Sequence, residues 1–163
     1  SRTSLAAEST SRPARNSMVI CECSGVQSSS SSHRHVKAIF SMGHSNGGGF
    51  TYLLRRSHPT LFAAIAPFAA GGLAVVSPEP TPVFHMSGLN DPLVKYAMQE
   101  RSLKVVMKTN QCETEGHKIG EFMTRYESKV NAPVVHYVHQ GGHELPEDAL
   151  AESVKFLKTF VKN

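Results

Sequence analysis

The chain has 163 residues, a formal net charge of +4 at pH 7 and a charged fraction of 18%. It is long enough for one domain with a hydrophobic core and short for two. We expect no nucleic-acid partner, because the basic residues form no run or stripe. No apolar stretch reaches the roughly 20 residues of a membrane span, so we expect no membrane partner. The three cysteines include no CxxC pair, which argues against a disulfide framework or a structural zinc site.

The N-terminal segment differs in composition from the rest of the chain. Residues 1 to 32 contain eleven serines, few large apolar residues and no periodic pattern. Such a segment buries too little surface to offset its ordering entropy. We therefore predict a disordered, serine-rich leader over 1–32, followed by a domain over 33–163. The leader lacks the apolar block of a secretory signal. It faintly resembles an organelle transit peptide, and a truncated or wrongly assigned start is the alternative.

The rest of the chain alternates strand and helix patterns. β-Branched and aromatic residues predict a strand over 36–41, and apolar residues at helical spacing predict a helix over 46–57. The pattern over 122–128 favours a strand, but it leaves a helix open as the alternative. The other predicted elements are a strand over 63–67, a strand over 83–87, a helix over 95–110, a polar loop over 111–121, a strand over 133–142 and a helix over 147–161. This order predicts an α/β fold with a mainly parallel sheet flanked by helices, and with its chemistry beyond the carboxyl ends of the strands.

The first strand and the first helix are joined by Gly-His-Ser-Asn-Gly, residues 43 to 47. This G-x-S-x-G pattern between a strand and a helix is typical of a nucleophile elbow. Glycines allow a sharp turn that lifts the Ser45 hydroxyl into the crevice. The N–H of Asn46, at the start of the helix, would then face a developing oxyanion. The alternative is that Ser45 is an ordinary loop serine.

Two further polar residues follow predicted strands. Asp91 lies beyond the strand over 83–87, and His143 lies beyond the strand that starts at residue 133. A serine nucleophile needs a base, and the base needs an orienting carboxylate. The chain order Ser, Asp, His is that of α/β-hydrolases. We therefore predict Ser45 as the nucleophile, Asp91 as the orienting acid and His143 as the general base. The alternatives are a turn cap for Asp91 and an ordinary loop position for His143.

The other histidines are assigned no chemistry. His136 and His139 would point to opposite faces of one strand, so they cannot easily share a metal ion. His44 is expected to pack beside the elbow. We predict that the reaction uses no metal and no organic cofactor.

Several segments together resemble one known family. They are GHSNGG, LFAAIAPFAA, PVFHMSGLNDPLV, NQC and VVHYVHQGGHELP. Over residues 36 to 163 the chain resembles the C-terminal half of an α/β-hydrolase of the polyhydroxybutyrate-depolymerase and feruloyl-esterase type. The resemblance implies a partial α/β-hydrolase fold and a serine esterase that acts on small-molecule or polymeric esters. It also suggests a secreted or periplasmic protein, although no signal peptide is visible.

The departure from that family concerns the residues before the nucleophile strand. Family members carry a further half-domain there, including a loop whose backbone N–H completes the oxyanion hole. Residues 1 to 35 do not resemble it, so we expect a fragment with an open, apolar edge on the strand over 36–41. Such an edge would favour self-association. The alternative to an esterase is a non-catalytic chain that keeps the triad residues and lacks the oxyanion-hole half.

Overall fold

The computed structural model describes residues 18–24 and 36–161. The strands are β1 (Met18–Ser24), β2 (Val36–His44), β3 (Ala64–Phe68), β4 (Val83–Gly88), β5 (His117–Lys118), β6 (Met123–Tyr126) and β7 (Val134–His139). The helices are α1 (Asn46–Ser57), α2 (Tyr96–Thr109) and α3 (Glu147–Lys158), with a short 3-10 helix at Leu73–Val75. None of the helices in the described ranges is long and apolar enough to cross a membrane.

The strands form one seven-stranded sheet in the order β1-β2-β3-β4-β7-β6-β5. The four central strands, β2, β3, β4 and β7, run parallel, and the strands at both edges are antiparallel to their neighbours. His44 at the end of β2 lies opposite Phe68, which lies opposite Met86 of β4. Met86 in turn lies opposite Tyr137 of β7. This register brings the loops that follow β2, β4 and β7 to one edge of the sheet.

Helices cover both faces of the sheet. On one face, side chains of α1 and α2 pack against alternate residues of the central strands; this cluster contains Tyr52, Leu103, Val106, Ile65, Val83 and Val134. On the other face, α3 packs on the intervening residues; this cluster contains Ala149, Phe156, Leu157, Ala64, Phe84 and Tyr137. Because helices cover both faces, every residue of β3 and β4 is buried, and β3 accordingly reads as a continuous apolar run.

β1 corrects two predictions made from the sequence. Residues 18 to 24 were predicted to belong to a leader without regular structure, but they form a strand that pairs antiparallel with β2. The edge of β2 is therefore paired over Ala38–Gly43, where an open edge was predicted. Val19 and Ile20 are β-branched residues that favour a strand, and β2 offers them unpaired backbone groups. The other residues of the predicted leader lie outside the described ranges.

Smaller differences concern the C-terminal half of the chain. The predicted polar loop over 111–121 contains the short strand β5, and the undecided segment over 122–128 contains strand β6. The last helix ends at Lys158, although Phe160 and Val161 still pack against the core as their spacing predicts. The residues that follow this helix form tighter turns, in which backbone N–H groups donate to carbonyls three residues earlier.

Candidate active site

Ser45 occupies a sharp turn between β2 and α1. Its φ of 58° and ψ of −119° lie in a region that residues with a side chain rarely adopt, and such strain typically marks a functional site. The backbone N–H of Ser45 donates to the Phe68 carbonyl at 2.9 Å, which fixes the turn against β3. A Cβ on Gly43 would approach the Gly47 carbonyl carbon to 2.5 Å. A glycine is thus required at position 43, because the backbone segments before and after the serine nearly touch.

The structure brings Ser45, His143 and Asp91 together. His143 Nε2 lies 2.7 Å from Ser45 Oγ, and His143 Nδ1 lies 2.8 Å from Asp91 Oδ2. Because an ionised carboxylate only accepts, Nδ1 carries the ring proton and Nε2 accepts the serine hydroxyl proton. This is the geometry that a general base needs toward a nucleophile. The catalytic roles of the three residues stay a prediction.

The Asp91 carboxylate is buried and fully hydrogen-bonded. Its side chain has no exposed surface, and Oδ1 accepts the backbone N–H groups of Leu93 at 2.8 Å and Val94 at 2.9 Å. Burial by itself raises the pKa of Asp91. The hydrogen bonds from His143, Val94 and Leu93 outweigh burial and hold that pKa below its ordinary 3.8. Asp91 is therefore an anion at neutral pH, as an orienting acid must be.

The loop that carries His143 is tied to its neighbours by backbone bonds. Leu89 N–H donates to the His139 carbonyl and Asn90 N–H donates to the Gly141 carbonyl, each at 2.9 Å. His44 adds a side-chain bond, because its Nε2 donates to the backbone carbonyl of His143 at 2.6 Å. Burial lowers the pKa of His44 below its ordinary 6.5, and the His143 carbonyl partly opposes that shift.

Sequence reasoning missed the bond that His44 makes, and it also missed Gln99. His44 was expected to pack beside the elbow without chemistry, whereas its ring contacts the His143 ring with centroids 4.7 Å apart. Gln99 was not singled out from the sequence, although its side-chain amide donates to Asp91 Oδ2 at 3.0 Å. A glutamine among the apolar positions of a helix is the one signal in the sequence that points to it.

The predicted oxyanion donor lies at the first position of α1. Asn46 is exposed, and within the described ranges its backbone N–H is not engaged in a hydrogen bond. The first N–H groups of a helix have no partner within the helix. The Asn46 N–H is thus available beside Ser45, while the Ser45 N–H is already used by Phe68.

Two further buried histidines, His136 and His85, hydrogen-bond to neighbouring side chains. His136 Nε2 lies 3.1 Å from Ser87 Oγ, and the Tyr52 hydroxyl lies 2.7 Å from His85 Nδ1. Within residues 18–24 and 36–161, no group of three or more His, Cys, Asp or Glu side chains is arranged to hold a metal ion.

No protein-family model and no curated protein matches the chain. Solved structures do match it. SOBER1 from Arabidopsis thaliana matches 76% of this chain and 53% of its own length, at 16% identity and a TM-score of 0.50. A variant of SOBER1 matches with the same coverage at 15% identity and a TM-score of 0.51. Atu2452, a protein of unknown function from Agrobacterium tumefaciens strain C58, matches 73% of this chain and 50% of its own length, at 17% identity and a TM-score of 0.53.

The fold is α/β-hydrolase-like. The sheet of this chain is parallel at its centre and has helices on both faces, and the chain matches the solved structures SOBER1 and Atu2452, so the fold class predicted from the sequence is confirmed. At these identities the likeness concerns the fold alone. The chain spans about half the length of these solved structures.

Proposed function

We propose that this chain is a serine-dependent hydrolase of carboxylic esters. The observation that carries the proposal is the continuous hydrogen-bond chain from Ser45 Oγ through the His143 ring to Asp91 Oδ2. These three hydrogen-bonded side chains lie beyond the carboxyl ends of parallel strands, where α/β sheets hold their active sites. A strained serine, a base in contact with it and a buried carboxylate behind the base form a combination with one well-understood use, which is acyl transfer.

The reaction follows from the protonation states of the three groups. His143 Nε2 takes the Ser45 hydroxyl proton as Oγ attacks the ester carbonyl carbon, and the carbonyl oxygen becomes an oxyanion. The Asn46 N–H faces that oxygen. The C–O bond to the alcohol then breaks, and the alcohol leaves with the proton from His143. Water gives a proton to the same His143 as it attacks the acyl carbon. The bond from that carbon to Ser45 Oγ then breaks, His143 returns the proton to Oγ, and the acid leaves.

The surface near Asp91 supports an apolar ester as the substrate. Leu89 and Leu93 flank Asp91 in the chain, with 37% and 70% of their surface exposed. Neither is needed in the core at that exposure, so both are free to contact a substrate. Together with the resemblance to polyhydroxybutyrate depolymerases and feruloyl esterases, this favours a polyester, aryl ester or acetyl ester substrate.

The test is hydrolysis of p-nitrophenyl butyrate, p-nitrophenyl acetate, methyl ferulate and a poly(3-hydroxybutyrate) film by the purified chain. We expect release of p-nitrophenol that Ser45→Ala reduces to background, because the nucleophile is lost. Ser57→Ala is the matched control, since Ser57 is an exposed serine at the end of α1. A chain that is folded and hydrolyses none of the four substrates would favour the alternative, a non-catalytic chain that keeps the triad residues.

A further inference from the structure

Gln99 is a buried polar residue of α2 whose side chain faces the Asp91 loop. It is 0% exposed. Its Nε2 lies 3.0 Å from Asp91 Oδ2 and 2.6 Å from the Val94 carbonyl oxygen. Both neighbours can only accept, so the donor end of the amide must face them. The orientation of this amide is therefore fixed by its surroundings.

The same orientation leaves the other end of the Gln99 amide without a partner. Oε1 is buried and accepts no hydrogen bond within the described part of the chain. A buried carbonyl without a donor costs free energy, because it gives up its hydrogen bonds to water. An apolar side chain of similar length would fill the same space without that cost. The benefit of a glutamine at this position must therefore lie in what its Nε2 does.

We propose that Gln99 is a positioning residue that fixes the plane of the Asp91 carboxylate toward His143; this rests on the proposed function. The two backbone N–H groups of Leu93 and Val94 hold Oδ1. The last torsion of an aspartate side chain is soft, so the bonds to Oδ1 leave the carboxylate free to tilt. Gln99 holds Oδ2 from a second direction, and His143 Nδ1 then meets Oδ2 at 2.8 Å.

The bond from Gln99 to Val94 strengthens this effect. It ties the turn that carries Asp91 to the first turn of α2. The Asp91 carboxylate accepts from the backbone N–H groups of Leu93 and Val94 and from the Gln99 side chain. The bond from Gln99 to Val94 anchors these donors to the same helix, so they hold the carboxylate together. An orienting acid acts through the base, so a small tilt of Asp91 changes the orientation of His143 rather than the binding of the ester.

The first test compares Gln99→Met with the unmodified chain. Methionine has a similar length and no donor, and it removes the orphan carbonyl as well. We expect kcat for p-nitrophenyl butyrate to fall about tenfold with little change in KM, since a group that acts only on the base contributes to the transition state. Removal of the orphan carbonyl offsets the loss of the two donated bonds, so we expect little change in Tm. A residue with only a structural role would give the opposite pattern, a lower Tm with kcat unchanged.

Ser102→Ala is the matched control on the same helix. Ser102 is also buried, and its hydroxyl accepts from Gly72 N–H and donates to the Met98 carbonyl without contacting Asp91. We expect this variant to have a lower Tm and an unchanged kcat. Gln99→Met with unmodified kcat, or with a kcat loss that merely follows a loss of Tm, would overturn the proposal.

A second readout does not depend on turnover. The Nδ1–H proton of His143, bonded to a buried carboxylate, gives a low-field proton NMR signal. We expect Gln99→Met to broaden or remove that signal and Ser102→Ala to leave it unchanged. If the unmodified chain hydrolyses no ester, the proposed function fails, and this signal still decides the role of Gln99. An unchanged signal in Gln99→Met would contradict the proposal.

Discussion

His44 precedes the nucleophile in the chain and holds the loop that carries the base. Its Nε2 donates to the His143 carbonyl at 2.6 Å. Loss of such a bond costs about 1 kcal/mol. We expect His44→Ala to lower kcat by roughly fivefold with a small change in KM, as measured by steady-state hydrolysis of p-nitrophenyl butyrate. His44→Gln keeps a donor at similar reach and should retain more activity than the alanine variant. Equal losses in the two variants would show that the bond does not matter.

Protonation of His136 is coupled to the stability of the fold. Burial lowers its pKa from 6.5 to about 4. A depressed histidine pKa means that the unfolded chain binds the proton first, so stability is full above pH 6.5 and falls as the pH drops toward 4. The complete loss amounts to roughly 3 kcal/mol. Burial lowers the pKa of His85 as well, which adds a loss in the same direction.

The test of this linkage is urea unfolding at pH 7.5 and at pH 5. We expect the unmodified chain to lose free energy of unfolding between the two, by about 1.4 kcal/mol per pH unit for each buried histidine below its unfolded pKa. His136→Gln should reduce the loss by one such contribution, because glutamine does not titrate. An equal decline in both proteins would mean that His136 is not the group responsible.

The glycines at the start of α1 differ in how closely other atoms approach them. A Cβ on Gly48 would meet the Ala70 Cβ at 2.6 Å and the Phe68 carbonyl oxygen at 2.8 Å. A Cβ on Gly49 would meet nothing within 4 Å. We therefore expect Gly48→Ala to destabilise the fold by about 1–3 kcal/mol, and Gly49→Ala to stabilise it by about 0.5–1 kcal/mol because alanine favours helix.

Thermal and urea unfolding of the two glycine variants measure this difference. Each variant is the control of the other, since both add one methyl group to neighbouring positions of α1. Similar effects of the two substitutions would contradict the packing around the elbow.

The elements that the sequence predicted well are those with strong local signals. α1 has apolar residues at helical spacing and a His-Pro stop, and its predicted range, 46–57, agrees with the structure. β1 was missed because its short apolar stretch lies within a serine-rich segment, and its pairing depends on the distant edge of β2. β6 was undecided because its strand character comes from pairing with β7, which no local pattern encodes.

Some residues of the candidate site could be predicted from the sequence, and others could not. Ser45, Asp91 and His143 could be found because a local motif and the chain order point to them. Gln99 could not, because its importance depends on where its amide points, and that follows from the packing of α2 against the Asp91 loop. The bond from His44 likewise joins residues 99 positions apart.

β1 pairs with β2 along an edge of the sheet that would otherwise be open. The self-association predicted from the sequence stays a prediction, and uncovering β2 should promote it. In an antiparallel pair, consecutive residues direct their N–H groups alternately toward the partner strand and away from it. Val19 and Ile20 lie opposite Met42 and Ser41. A proline at one of them removes a bond to β2, and a proline at the other removes only an outward-facing N–H.

We expect one of Val19→Pro and Ile20→Pro to increase the apparent mass in size-exclusion chromatography and sedimentation, and the other to behave more like the unmodified chain. The pair thus contains its own control for the general effect of proline on the chain. Unchanged mass for both variants would mean that β1 is not needed to keep the edge of β2 from associating.

We propose that Ser45 is a nucleophile activated by His143 and Asp91. The most direct measurement is labelling with a fluorophosphonate probe, followed by peptide mass spectrometry. We expect one adduct, on Ser45, whose rate of formation falls sharply in His143→Ala and Asp91→Asn and is unchanged in Ser57→Ala. A folded chain with no adduct, with an adduct on another serine, or with labelling that is independent of His143 would contradict it.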